Sequence, residues 1–121
     1  METSAAFDAF NYRPDAGWSA DHELIGYHVE AADGHVGKID EASYALDASY
    51  LVVTTGPWIF GHKVMIPAGT VNHIDHDDRK VYLDLTKEQV KSAPDFDADA
   101  YTEPEYRLKV GDYYNHAHHT R

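Results

Sequence analysis

The chain has 121 residues, 10 basic against 21 acidic side chains, and a formal charge of −11 with its histidines neutral. That length holds one domain, and that charge repels phosphate backbones and anionic lipid, which sets nucleic-acid and membrane-surface binding aside. Cysteine is absent, so disulfide frameworks and thiolate metal sites are excluded.

Residues 1–20 show no sustained period and contain Pro14 and Gly17, yet carry Phe7, Phe10, Tyr12 and Trp18. They read as an irregular arm that docks through its rings. The opening residues lack a basic, apolar leader pattern, and no stretch reaches the apolar length of a membrane span, so a cytoplasmic protein without membrane insertion is expected. From residue 21 a β pattern begins. Ile25, Tyr27, Val29 and Ala31 alternate with Gly26, His28 and Glu30, the period of a strand with one face inward. Asp33-Gly34 signals a two-residue hairpin turn, and a return strand follows over residues 36–46.

Residues 50–67, YLVVTTGPWIFGHKVMIP, are the centre of the pattern. β-Branched residues favour a strand over 50–55 and another over 62–66, while Gly56-Pro57 ends the first. Trp58, Ile59 and Phe60 form an apolar knot between them. Further strands are predicted over 70–74 and 80–85, the last with Val81, Leu83 and Leu85 on one face. Thr86-Lys87-Glu88-Gln89 then has the capping-box spacing, with Thr86 capping the Gln89 amide and the Gln89 side chain reaching back, for a short helix that ends before Pro94. Residues 95–105 hold five acids and no base, which reads as a solvated linker. Tyr101, Tyr106, Leu108, Val110, Tyr113 and Tyr114 point to a tail that packs, and residues 116–121 are too short and polar to fold alone. Six short strands joined by tight turns predict a mainly β fold, a small antiparallel barrel or sandwich.

With these elements in order, the chain resembles the PRC-barrel family, named from the cytoplasmic barrel of the photosynthetic reaction-centre H subunit. The resemblance rests on LIGYHV at 24–29, DGHVGKID at 33–40, YLVV at 50–53, TGPWIFG at 55–61, KVMIP at 63–67 and VYLDLTKEQVK at 81–91. It spans about residues 21–95, leaving an N-terminal arm at 1–20 and an acidic, tyrosine-rich tail at 96–121. It implies a six-stranded antiparallel β-barrel of the stand-alone bacterial type, with one short capped helix after the last strand and irregular N- and C-terminal arms. It also implies self-association, use as a protein-interaction module and no catalytic residues or cofactor.

The residues singled out for contact are Trp58, Ile59, Phe60, Tyr113 and Tyr114, because large aromatics dominate interfaces. A homodimer that also binds an unidentified protein is expected, its acidic surface favouring a basic patch on that partner. A link to RNA would run through a protein rather than through RNA itself. The alternative is a small divalent-metal protein or metal-dependent enzyme using His73, Asp75 and His76, since imidazole and carboxylate are ligands for zinc or manganese. Strand alternation sends His73 and Asp75 to one face and His76 to the other, which favours a polar strand end and acidic turn instead. His116, His118 and His119 could gather an ion adventitiously, with no second shell to orient them. Asp40/Glu41 and Asp77/Asp78 are neighbours in sequence only, and surface charge accounts for them.

Overall fold

The apolar alternation of residues 27–85 becomes a six-stranded sheet followed by two helices. The computed structural model describes residues 10–13, 16–19, 23–45, 48–55, 63–94, 99 and 103–119, with the side chains of 45, 48 and 116–119 left aside. The strands are β1 (His28–Ala31), β2 (Gly34–Ala45), β3 (Ala48–Thr55), β4 (Lys63–Pro67), β5 (Val71–Asp75) and β6 (Lys80–Leu83); the helices are α1 (Lys87–Lys91) and α2 (Pro104–His119). A single 3-10 turn, Ala68–Thr70, joins β4 to β5.

The sheet order is β4-β3-β2-β1-β6-β5. Six strands, mainly β, agree with the sequence reading, but two features correct it. β1 and β6 run parallel, so the sheet is mixed rather than wholly antiparallel. Among the described residues β4 and β5 are unpaired edges, so the ladder does not close. The sheet nevertheless curls. Five flat inter-strand spacings would separate its edges by about 24 Å, whereas the four Cα steps from Pro67 to Val71 reach about 15 Å at most.

Burial along the strands shows which faces are covered. β1 and β6 alternate, with Val29, Ala31, Val81 and Leu83 inside and their neighbours facing water. In β3 the run Tyr50–Val53 is buried without a break, and so is Val64–Pro67 in β4, which requires cover on both faces. One face meets the core of Leu24, Val29, Val36, Ile39 and Val81. Helix α2 packs against β4.

That helix corrects the expected irregular C-terminal arm. Pro104 is its first residue, where a missing N–H costs nothing, and the Arg107 amide donates to the Glu103 carbonyl. Tyr106, Val110 and Tyr114 share one buried stripe at i, i+4, i+8, while Leu108 points away and is exposed. The backbone of residues 116–119, expected to be unfolded, continues this helix.

Two local differences have simple causes. The strand expected from Ile25 starts only at His28, because Gly26 adopts φ +94° and Tyr27 N–H bonds the Leu24 carbonyl in a turn. Ile25 is thereby turned outward. The first hairpin forms, but its two-residue loop is Ala32-Asp33, and Gly34 opens β2 opposite Ala31. The tip of this hairpin is held by α1. The Lys87 amide donates to Asp33 Oδ1 at 2.8 Å, and Ala32 N–H donates to the Leu85 carbonyl at 2.7 Å. The expected capping box is present: Gln89 N–H donates to Thr86 Oγ1 at 3.2 Å and Thr86 N–H to Gln89 Oε1 at 2.9 Å.

Candidate interaction surface

The open corner of the sheet is where the N-terminal segment lies. Phe10 accepts a hydrogen bond from Ser49 N–H, where β3 outruns β4, and Ala16 accepts one from Ile74 N–H on the β5 edge. Between them Arg13 Nε donates to the Gly69 carbonyl at 3.0 Å, and its guanidinium pairs with Asp84 at 3.2 Å. Ala16 is wholly buried, and Gly17 holds φ +95° with Ile74 beside it, so the segment is seated. It is a strap across the seam between the two edges.

The strap carries an aromatic stack to the surface. Tyr12 and Trp18 lie parallel at 5.5 Å, and Trp18 stacks on Tyr44 of β2 at 6.1 Å. Trp18 remains 38% exposed and Ile25 45%. Glu23 binds this group together: Tyr44 Oη donates to its carboxylate at 2.6 Å, the Ile25 amide reaches the same oxygen at 3.3 Å, and Leu24 N–H donates to Tyr44 Oη. Partial burial, then the Glu23 carboxylate, push the Tyr44 phenol up to about 12. Burial raises Tyr12 as well, and its hydroxyl has no hydrogen-bond partner among the described residues.

The residues expected to make contacts fall differently. Trp58, Ile59 and Phe60 lie outside the described residues. Tyr114 is not at a free surface: it is fully buried on the inner face of α2, and its hydroxyl has no hydrogen-bond partner among the described residues. Tyr113 is half-buried and donates to the Gln89 carbonyl, tying α2 to the end of α1. Both serve the chain's own packing.

The residues weighed as metal ligands do not converge. His73 stacks on Tyr82 at 6.2 Å on the outer face of the sheet. Asp75 Oδ1 accepts the amides of Asp77 and Asp78, closing the β5–β6 turn. His76 Nε2 lies 2.8 Å from the Gly17 carbonyl, which can only accept, so that nitrogen carries the proton. Its Nδ1 then accepts from Tyr27 Oη at 3.0 Å. Both ring nitrogens are occupied, and the ring serves to latch the strap. Among the described residues no group of three His, Asp or Glu side chains is placed to hold a metal ion. The side chains of His116, His118 and His119 lie outside the described set. No described helix is long and apolar enough to cross a membrane.

Sequence reasoning placed Tyr12 and Trp18 on a docking arm but missed Tyr44 and Glu23, which meet the arm only through folding. No protein-family model and no curated protein sequence matches the chain.

Proposed function

We propose that the chain is a non-catalytic interaction module of the PRC-barrel type, which self-associates and docks a second protein. In this reading the curled sheet is the barrel, its last seam covered by the strap at residues 10–13 and 16–19 rather than by a β4–β5 ladder. The observation that carries the proposal is the exposed Trp18, stacked on the partly buried rings of Tyr12 and Tyr44 and neighboured by exposed Ile25, with Tyr44 and the Ile25 amide tied to Glu23. Rigid rings with a polar handle lose little entropy on binding and anchor interfaces well. The apolar run Trp58-Ile59-Phe60 in the β3–β4 connection adds a second adhesive segment. The excess of acids over bases steers a basic partner toward the remaining surface.

Sedimentation velocity at tens of micromolar tests self-association. The wild type is expected to sediment as a dimer, and the Trp58→Ala/Phe60→Ala double variant to shift toward monomer. A wild type that is monomeric throughout contradicts the proposal.

A further inference from the structure

On the β1–β2 hairpin two imidazoles meet at the surface. His28 of β1 and His35 of β2 are both exposed, with ring centres 5.5 Å apart and planes tilted by 45°. The irregular register of this strand pair brings them together. A shift between Val29 and Glu30 leaves His28 opposite Lys38 and sets Glu30 opposite His35, so that His28, Glu30 and His35 share the outer face.

The two rings are held differently. His35 Nδ1 lies 2.6 Å from Glu30 Oε2. A carboxylate only accepts, so Nδ1 carries the proton, and the neutral ring keeps its lone pair on Nε2. A carboxylate placed behind a histidine in this way fixes the tautomer of a metal-binding ring and raises its basicity. Among the described residues the His28 ring has no hydrogen bond or ion pair, so its lone pair is not engaged.

The spacing of the rings selects a coordination geometry. Zinc about 2.0–2.1 Å from one nitrogen of each ring sits about 3.2 Å from each ring centre, so a tetrahedral angle places the centres about 5.2 Å apart. A square-planar ion would set them about 4.5 Å apart at a right angle, or about 6.4 Å apart in line. The observed 5.5 Å falls nearest the tetrahedral value.

We infer that His28 and His35 bind a zinc ion, with Glu30 positioning His35 from behind. Two positions of the ion are left to water, since no third imidazole or carboxylate joins the pair among the described residues. Lys38, opposite His28, works against a cation there. The excess of acids over the whole chain works in its favour. The site therefore binds more weakly than a closed four-ligand site, and it is independent of the proposed self-association.

Zinc chloride is titrated into the full chain, labelled for NMR and carrying His116→Gln/His118→Gln/His119→Gln so that the tail takes no metal. Saturation in the micromolar range, with the ring nitrogens of His28 and His35 shifting together, is the expected result. His28→Gln and His35→Gln should each weaken binding at least tenfold, and their exposed positions leave the zinc-free melting temperature unchanged. Glu30→Gln should weaken it about tenfold while both rings still shift, because Glu30 positions His35 without touching the ion. Saturation only at millimolar zinc marks an adventitious ion and overturns the inference. So do shifts centred on other histidines, or unchanged binding by either single-histidine variant. Unchanged binding by Glu30→Gln overturns the role given to Glu30.

Discussion

Gly37 sits buried where β2 crosses β3, and a Cβ built there would overlap the Thr54 carbonyl. The obstacle is backbone, so it cannot turn away as a side chain would, and the two strands would have to part. Gly37→Ala is therefore expected to cost on the order of 3 kcal/mol in urea unfolding, and a loss below about 1 kcal/mol would show that the strands approach less closely than described. The phenols give a second test at this scale. Burial holds the protons of Tyr12 and Tyr114 above the usual range, and burial with Glu23 holds that of Tyr44 up to about 12. In the unfolded chain the same groups ionise near about pH 10. Their folded pKa is raised, so the stability they support is complete below that pH and is lost as pH climbs through the folded values. Urea midpoints should hold steady to about pH 10 and fall beyond it. A midpoint that stays level as tyrosinate absorbance develops would contradict this.

The elements nearest to local rules were the most legible. β-Branched runs marked β3 and β4, the turn signal at Asp33-Gly34 marked the first hairpin within one residue, and Thr86 with Gln89 marked the start of α1. What escaped was set by distant residues. The parallel contact of β1 with β6 joins His28 to Lys80, and nothing local to either residue specifies that neighbour. Tyr44 meets Glu23 and Trp18 for the same reason. Helix α2 was legible in principle, from Pro104 at its start and the Tyr106–Val110–Tyr114 stripe, but the preceding acidic run masked it. Its two adjacent tyrosines separate packing from hydrogen bonding. Tyr113→Phe removes a bond to the Gln89 carbonyl and should cost about 1 kcal/mol. Tyr114→Phe removes a buried hydroxyl that has no partner among the described residues and should leave stability unchanged or raised. Thermal melts compare them, and a larger loss for Tyr114→Phe would mean that its hydroxyl is satisfied.

At the scale of the whole molecule, a curled sheet has α2 packed against β4 at one edge and is strapped across its open corner by residues 10–13 and 16–19. The strap is held at its two ends by backbone hydrogen bonds, by Arg13 at the middle and by His76 at Gly17. It presents the Trp18 ring to solvent, and the β3–β4 connection brings three more apolar residues in sequence. The proposed role as a self-associating module requires that some of this apolar surface be hidden between copies. The chain has two tryptophans, so Trp18→Phe leaves Trp58 as the sole reporter while keeping a ring in the stack. Its emission, followed from low to high micromolar protein with acrylamide as quencher, reads whether Trp58 becomes covered. A blue shift with falling quenching as concentration rises is the expected result; emission and quenching that stay constant across the range would contradict association through this segment.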